Sequence, residues 1–334
     1  MKPKIFTIII PTYNRGKILR ENLAYLLPLI EPYSKKVSIY VSDNASTDCT
    51  QEFVQEFMSQ YPNLLQYHRQ KENLGPHANF KHAVHAVNSD YVCLLGDEDI
   101  VMPHYPSTIL STIEKHPDVG FIHYNFVYGS LSMQDSHFFY PDYGHVQGED
   151  FFLTEYKDGK ELLAEKINGP SLMSANVFKR ELWEKAVCKE IEIPGYSWFS
   201  ILCYAILNTP CFFFKQPLIY QRFSGVNGYS DKWLLYFLNG QGSLFKALTS
   251  EIPDIYNRWV EKGQRERHEE LKQWIFQANQ YRKFYAEHFD EVEQHLLRKT
   301  DRWLFWMSVN IPSCIFRRTV LRFFRWKKRF FGDA

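Results

Sequence analysis

The chain has 334 residues, of which 45% are hydrophobic, 17% aromatic and 23% charged. This is the composition of a globular protein, long enough for two domains or for one large domain with an appendage, and it excludes a disordered or fibrous chain. The formal net charge is +1. Residues 1–220 carry 19 Lys and Arg against 25 Asp and Glu, whereas residues 221–334 carry 20 against 13, which predicts different partners for the two parts.

The six cysteines form no CxxC pair and no Cys/His cluster. We therefore expect neither a structural zinc site nor a disulfide framework, and a reducing cytoplasm fits best.

The sequence opens on Met-Lys-Pro-Lys and a strand-like segment, without a cleavable signal. Because no stretch reaches the roughly 18 apolar residues of a spanning helix, we predict that the chain does not cross a membrane.

Strand-like and helix-like segments alternate in the first hundred residues. The β-branched runs Phe6–Pro11 and Val37–Ser42 flank a helical pattern over Arg15–Leu29, which predicts a βαβ unit. Helices over Cys49–Gln60 and His77–Val87 and strands over Leu65–His68 and Tyr91–Leu95 are predicted to follow. This alternation indicates an α/β fold with a mostly parallel central sheet. Ligands of such sheets bind beyond the carboxyl ends of the strands, which is where the polar clusters of this sequence fall.

The alternation loosens beyond Pro103. A Tyr/Phe-rich stretch covers Phe121–Tyr143, an apolar segment covers Phe212–Tyr220, and the pattern is helical from about Ser230. Apolar positions at helical spacing over Glu266–Leu296 predict a packing helix.

Three carboxylates, Asp97, Glu98 and Asp99, lie just beyond the end of an apolar strand. Like charges this close need a cation, and hard oxygen ligands suit Mg²⁺ or Mn²⁺. The alternative is a solvated acidic turn.

Four polar clusters follow one another along the first hundred residues: Pro11-Thr12-Tyr13-Asn14-Arg15, Ser42-Asp43-Asn44-Ala45-Ser46, Asn73-Leu74-Gly75 and Gly96-Asp97-Glu98-Asp99. Taken in this order, they resemble the motifs of family 2 glycosyltransferases with the GT-A fold. The resemblance covers about residues 4–222 and implies a Rossmann-like GT-A domain over 1–222. A helical region over 223–297 and a basic, aromatic, amphipathic tail over 298–334 complete the predicted organisation.

The resemblance implies roles for individual residues on the donor side. It assigns Pro11, Tyr13 and Asp43 to the nucleobase, and Asn73, Gly75 and Asn79 to the ribose and diphosphate. A Tyr face can stack on a base and a carboxylate can accept a ring N–H. The structural alternatives are strand termination and turn capping, and for Asn79 a solvated helix position.

The acidic motif departs from the common family form Asp-x-Asp-Asp. Aligned on the following Ile-x-x-Pro, Gly96 takes the first Asp position and Glu98 the usual metal-ligand position. Asp97 and Asp99 are the alternative pair. We therefore expect the metal and diphosphate site among all three carboxylates.

The acceptor side lacks an expected acid. Residues 195–202 align with the family's Gly-Tyr-Glu-Asp-x-Asp-Leu element, whose carboxylate acts as general base, but read Gly-Tyr-Ser-Trp-Phe-Ser-Ile-Leu here. Glu192 substitutes as base, another loop supplies it, or the chain is inactive. Trp198 stacks on an acceptor sugar or is a core residue.

Arg222 precedes a polar loop that in the family often closes on the diphosphate, so we expect a phosphate contact, with a surface ion pair as the alternative. The Gln-x-x-Arg-Trp motif of processive synthases is absent from the sequence. One sugar per encounter is therefore favoured over a polymer.

The C-terminal segment is basic and aromatic. At 100° per residue, one helical arc collects the apolar residues Phe316, Val320, Phe323, Phe324, Trp326, Phe330 and Phe331, and the opposite arc is basic. This pattern is typical of an interfacial helix on anionic lipid. A nucleic-acid arm and a helix docked on its own domain or a second subunit are the alternatives, and we expect no nucleic-acid partner.

Together these features predict a metal-dependent glycosyltransferase, inverting by family resemblance. It would move one sugar from a nucleotide-diphosphate sugar, a UDP-sugar first, to a glycan or polyprenyl-linked acceptor in bacterial surface-polysaccharide synthesis. The expected location is the cytoplasmic face of the inner membrane, with Mn²⁺ or Mg²⁺ as cofactor and a homo-oligomer left open. The alternative is an inactive GT-A protein that serves as a sugar-binding or assembly subunit.

Overall fold

The structure is a computed structural model that describes residues 4–130, 136–137, 153–166, 169–193, 195–223, 235–264, 275, 282–294, 296 and 299–311. The chain forms two compact units. The first comprises Met1–Ile191 and Ser197–Val226, and the second comprises Glu192–Tyr196 and Asn227–Ala334. The predicted three-part division into 1–222, 223–297 and 298–334 stays a prediction.

The first unit is built on one sheet. In the described residues its strands are β1 (Phe6–Thr12), β2 (Val37–Asp43), β3 (Leu65–Arg69), β4 (Tyr91–Leu94), β5 (Ile100–Val101), β6 (Phe121–Ser130), β7 (Ser136–His137), β8 (Leu153–Tyr156), β9 (Asn176–Lys179) and β10 (Cys211–Phe223). Their order is β3-β2-β1-β4-β9-β6-β10-β5, with β7 on β6 and β8 on β10. The first four strands pair in parallel, and so do β6 and β10, whereas β9 joins the two groups antiparallel. The predicted α/β fold is confirmed.

Helices connect and cover these strands. They are α1 (Gly16–Ile30), α2 (Thr50–Gln60), α3 (Pro76–Ala86), α4 (Tyr105–Lys115), α5 (Gly159–Glu165), α6 (Arg180–Ala186) and α7 (Ser197–Ile206), with short 3₁₀ turns at Glu31–Tyr33, Gly169–Ser171, Met173–Ala175 and Val187–Lys189. Leu19, Leu23 and Leu26 recur at helical spacing on α1, are fully buried, and share one core with the β1 side chains Ile8 and Ile10. Burial of this apolar stripe fixes α1 on the sheet.

Strand register aligns the ends of the parallel strands. Thr12, the last residue of β1, pairs with Asp43, the last residue of β2, and Asp43 pairs with Arg69 at the end of β3. The loops that follow these strands therefore leave the sheet at the same edge.

The second unit is helical and aromatic. Its described helices are Gly242–Leu248, Ile255–Arg258, Arg282–Glu287, Phe289–Glu293 and Lys299–Asn310, with π-helical turns at Tyr236–Gln241 and Trp259–Gln264. Trp259 is fully buried and donates to Gln241 at 3.2 Å, and the rings of Phe289 and Phe305 stack at 5.2 Å.

The packing helix predicted over 266–296 is interrupted. His288, with φ −110° and ψ 22°, leaves helical geometry between Arg282–Glu287 and Phe289–Glu293. No helix in the described part of the chain is long and apolar enough to span a bilayer. The amphipathic tail predicted beyond Pro312 lies outside the described residues.

Candidate active site

The predicted polar clusters lie together at the carboxyl edge of β1–β4. Asp43 is fully buried at the end of β2. One of its carboxylate oxygens accepts the backbone N–H of Ser46 at 2.8 Å, and the other accepts the Tyr67 hydroxyl at 2.7 Å and lies 3.9 Å from Nε of Arg69. Burial, with donation to Asp43, raises the pKa of Tyr67. Asp43 therefore fixes the turn after β2, which is the capping role, and its predicted contact with a nucleobase stays a prediction.

The loops after β1 and β2 are joined by polar side chains. Asn14, at φ 53°, donates its backbone N–H to the Ser46 hydroxyl at 2.9 Å and accepts the N–H of Thr47 at 2.7 Å. Pro11 is buried, whereas Tyr13 is 42% exposed. Tyr13 thus presents a ring at this edge, and the predicted base contacts of both residues stay predictions.

The loop after β3 is attached to the same edge. The Asn44 amide donates to Asn73 Oδ1 at 2.8 Å, and Asn73 Oδ1 also accepts the N–H of Gly75 at 2.9 Å. Gly75 has φ 80°, a conformation that favours glycine, directly before α3. Asn79 is buried and exchanges hydrogen bonds with Ser42 of β2, so its interpretation as a solvated helix position is wrong.

The acidic turn after β4 is not a solvated turn. Asp97 is 6% and Asp99 5% exposed, which corrects that alternative. Asp97 accepts the Thr12 hydroxyl at 2.7 Å and lies 3.3 Å from Nε of Arg15, while Glu98 pairs with the same guanidinium. Arg15 therefore bridges two adjacent carboxylates.

Asp99 points to another partner. Its carboxylate accepts the hydroxyl of Ser174, and Ser174 Oγ accepts the backbone N–H of Gly96 at 2.8 Å. Burial raises the pKa of Asp99 to about 7 against the opposing hydrogen bond from Ser174, and it raises the pKa of Asp97 to about 6 against Arg15 and Thr12. Burial therefore opposes the ionised form of both carboxyl groups, which a nearby cation favours.

Two of the three predicted carboxylates are suitable oxygen ligands for a divalent metal. The described residues contain no group of three or more His, Cys, Asp or Glu side chains that converge as ligands. Asp97 and Glu98 already share one cationic partner, the Arg15 guanidinium, and Mg²⁺ commonly binds through one or two carboxylates together with substrate phosphates. These two oxygen donors fit such an ion, and the three-carboxylate site including Asp99 stays a prediction.

The main chain of the acidic turn is held by residues that sequence reasoning missed. The Asn22 amide donates to the carbonyls of Asp97 and Asp99 at 3.1 and 2.9 Å, and the Tyr25 hydroxyl donates to the carbonyl of Val101 at 3.0 Å. Asn22 is a fully buried polar residue within the apolar stripe of α1. That anomaly in the helical pattern is the signal that could have identified it.

Arg222, the penultimate residue of β10, is a buried cation at 4% exposure, so the alternative of a surface cation is wrong and its predicted phosphate contact stays a prediction. Its Nε donates to the carbonyl of Glu98, and its Nη1 lies 3.5 Å from the carboxylate of Glu21. Its Nη2 is buried and has no hydrogen-bond partner among the described residues. A buried guanidinium nitrogen without a partner is suited to an anionic ligand.

The acceptor-side segment is buried. Trp198 is 7% exposed on the first turn of α7, as the core interpretation requires, and its acceptor contact stays a prediction. Ser200 donates to the carbonyl of Ser197 at 2.7 Å and accepts the N–H of Ile191 at 3.0 Å. Glu192 is exposed and belongs to the second unit, so its role as base stays a prediction.

Comparison with known sequences places this site in a family. An abequosyltransferase of Salmonella typhimurium is 31% identical over 115 residues, which are 34% of this chain and 34% of that protein. A GalNAc(5)-diNAcBac-PP-undecaprenol β-1,3-glucosyltransferase of Campylobacter jejuni is 25% identical over 186 residues, or 54% of this chain and 53% of that one. The matched segments therefore span about a third and about half of these relatives.

Solved structures share the fold. Staphylococcus aureus TarS in complex with UDP-GlcNAc superposes with a TM-score of 0.55 at 16% identity, over 96% of this chain and 91% of that one. The mannosyltransferase PcManGT of Pyrobaculum calidifontis in complex with GDP-Man and Mn²⁺ gives 0.53 at 14% identity, over 100% and 89%. The fold is therefore GT-A. Residues 7–181, more than half of the chain, match the family model for glycosyl transferase family 2, and the chain belongs to that family.

Proposed function

We propose that the protein is a metal-dependent, inverting glycosyltransferase. It moves one sugar from a nucleotide-diphosphate sugar to a glycan or polyprenyl-linked acceptor in bacterial surface-polysaccharide synthesis. The observation that carries this proposal is the acidic turn, where two carboxylates, Asp97 and Glu98, share one cation beside the ends of β1 and β4. A buried anionic turn at the ligand-binding edge of a parallel sheet is suited to a cation and the phosphates that accompany it.

The donor would bind across the described edge. The exposed ring of Tyr13 stacks on the base, and Asp43 and the loop of Asn73 and Gly75 set the base and ribose positions. Arg222 offers its unpartnered nitrogen to a phosphate oxygen. Asp97 and Glu98 hold Mg²⁺ or Mn²⁺, which when bound neutralises charge on the departing diphosphate.

A UDP-sugar is the first donor to test. TarS was solved with UDP-GlcNAc and the Pyrobaculum mannosyltransferase with GDP-Man, which supports a nucleotide-diphosphate donor without selecting the nucleotide. The name of the Campylobacter relative specifies a diphospho-undecaprenol-linked acceptor, which supports a polyprenyl-linked acceptor here.

Inverting transfer needs a base at the acceptor hydroxyl. Glu192 is our candidate because residues 195–206 contain no acid. The same observation favours a second function, an inactive GT-A protein that binds sugar or assembles with active enzymes. Turnover by the purified protein separates the two functions.

Peripheral attachment to the cytoplasmic face of the inner membrane is part of the proposal. Trp303 and Trp306, three residues apart on Lys299–Asn310, are each 50% exposed, and exposed Trp is typical of a surface that enters the headgroup region. Replacing both by Ser should weaken binding to anionic vesicles, with removal of residues 314–334 as a second variant. Equal binding by both variants and the intact chain would contradict membrane attachment.

The decisive experiment uses the full chain and a panel of nucleotide sugars. Thermal shift with and without Mn²⁺ identifies the nucleotide and the metal, and release of the nucleoside diphosphate in the presence of acceptor lipid measures transfer. Stabilisation by one nucleotide sugar together with turnover supports the enzyme. Stabilisation without hydrolysis or transfer supports the binding subunit.

A further inference from the structure

Arg15 and the two carboxylates that it bridges differ in the number of contacts that fix them in place. Asp97 is fixed through its side chain by Thr12 and through its main chain by Asn22, and the main chain of Glu98 is fixed by Arg222. The guanidinium of Arg15, in contrast, contacts these two carboxylates in the described residues, and its side chain is 29% exposed. If the cluster rearranges, Arg15 is the member that can move without breaking core contacts.

Charge balance shows why it would move. A divalent cation held by Asp97 and Glu98 would share the space between them with a guanidinium of like charge, which is unfavourable at close range. A doubly charged diphosphate that arrives with the cation adds no net charge to the site. The guanidinium is therefore still needed, but against phosphate oxygens, which it can bind with two parallel hydrogen bonds.

We propose that Arg15 is a displaceable counter-ion of the donor site. It neutralises Asp97 and Glu98 in the empty protein, yields both carboxylates to a divalent cation when the donor binds, and then pairs with the diphosphate. This inference rests on the proposed metal-dependent function. Arg222, buried at 4% exposure and anchored to Glu98 and Glu21, is by contrast the fixed cation.

The test compares Mn²⁺ binding with and without nucleotide in the full chain carrying Arg15→Gln. Without nucleotide, loss of the competing cation should strengthen Mn²⁺ binding about tenfold, measured by calorimetry or by the electron paramagnetic resonance signal of free Mn²⁺. At saturating Mn²⁺, affinity for UDP or GDP, whichever the chain binds, should fall about tenfold, because a diphosphate contact is lost. A purely structural ion pair predicts no gain in metal affinity.

Arg20→Gln is the matched control. Arg20 lies in α1, the helix that begins directly after Arg15, is 49% exposed and pairs with Glu56 at 3.6 Å, so its loss changes the net charge equally without touching the acidic turn. Both affinities should stay within about twofold of wild type. If Arg15→Gln does not fold, Arg15→Met decides, since it also removes the competing cation and keeps an unbranched side chain. Its Mn²⁺ affinity should rise at least about threefold.

Two failures are distinguishable. If the wild type binds Mn²⁺ with nucleotide but neither Arg15 variant gains affinity for Mn²⁺ alone, the counter-ion role is wrong and the proposed function stands. If the wild type binds no Mn²⁺ with any nucleotide and transfers sugar in EDTA, both the counter-ion role and the metal dependence are wrong.

Discussion

The donor-side edge and the acceptor-side segment of the first unit use their polar groups in opposite ways. At the donor-side edge, side chains of Asn14, Asn44 and Asn73 bond to neighbouring loops, and charged groups converge at the turn after β4. On the acceptor side, Ser197–Ile201 is buried and the Ser200 hydroxyl bonds to nearby backbone groups.

This contrast shows which part of the chemistry the sheet itself supplies. Loops joined to one another at the strand ends are a preorganised surface for a ligand, and the proposed donor site uses this edge of β1–β4. The start of α7 carries no titratable acid and packs into the core. The base that the proposed inverting transfer requires is therefore expected outside α7, and the two sides can be tested independently.

The largest expected effect concerns the acceptor side. Glu192→Gln should lower the turnover number by about 10² to 10⁴, because a positioned base contributes that much to rate, while the affinity for the donor stays unchanged. Glu190→Gln is the matched control, since Glu190 already pairs with Lys81 at 2.6 Å. Steady-state kinetics with the identified donor measures both. Near-normal turnover by Glu192→Gln would show that another loop supplies the base.

Substitutions in the acidic turn are expected to have the next largest effect. Single substitutions of Asp97, Glu98 and Asp99 by Ala should lower transfer by about 10² to 10³ at one or two of the three positions, because each lost group stabilised charge on the donor or its cation. Chelator should do the same. Glu114→Gln, which removes a surface carboxylate paired with Lys36, is the control. Full activity in EDTA or in all three variants would overturn the metal assignment.

Asp43 gives a smaller and more selective effect. Asp43→Ala should weaken nucleotide binding about ten- to hundredfold without changing acceptor affinity, as a lost charge-assisted hydrogen bond is worth about 1.5 to 3 kcal/mol. Tyr67→Phe removes the hydroxyl that donates to Asp43 but keeps the carboxylate, so its loss should stay below about fivefold. Calorimetry with the preferred nucleotide measures the affinity of both variants. Equal losses in both variants would indicate that Asp43 only shapes the turn.

Sequence reasoning succeeded where the signal is local. The predicted strands Phe6–Pro11 and Val37–Ser42 end one residue before the observed β1 and β2, because β-branched runs and the turn residues behind them are read within a few positions. The parallel pairing of the first four strands agrees with the predicted βαβ pattern. The placing of the four clusters at one edge is a consequence of parallel register, which needs no knowledge of side-chain contacts.

Contacts between distant parts of the chain left no such signal. Ser174 meets Asp99 across 75 residues, and Arg222 meets the carbonyl of Glu98 across 124. Ser174 stands in an ordinary loop sequence, and its partner is determined only when β9 pairs with β4. The burial of Trp198 likewise depends on how α7 packs, which its sequence alone leaves open. The interruption at His288 was missed because apolar spacing continues through it.

The smallest expected effect is on stability. It tests whether ionisation of a buried carboxyl group at the donor-side edge lowers the free energy of unfolding. Burial raises the pKa of Asp99 from an ordinary 3.8 to about 7. Between these values the folded protein holds a proton that the unfolded chain has released, so the free energy of unfolding falls as pH rises. Above about pH 7 the carboxylate is ionised in both states, and the folded state retains the whole penalty.

Asp99→Asn removes that ionisation and keeps an acceptor for the Ser174 hydroxyl. In EDTA, the melting temperature of the wild type should fall between about pH 5 and about pH 8 by a few degrees more than that of the variant, since each kcal/mol shifts the melting temperature by about 2 to 4 °C in a domain of this size. The exposed Glu114→Gln control should follow the wild type. Parallel profiles for Asp99→Asn and wild type would mean that Asp99 is not strained. The difference between a charged donor-side edge that favours a cation and an uncharged acceptor-side segment would then depend on Asp97 and Glu98 alone.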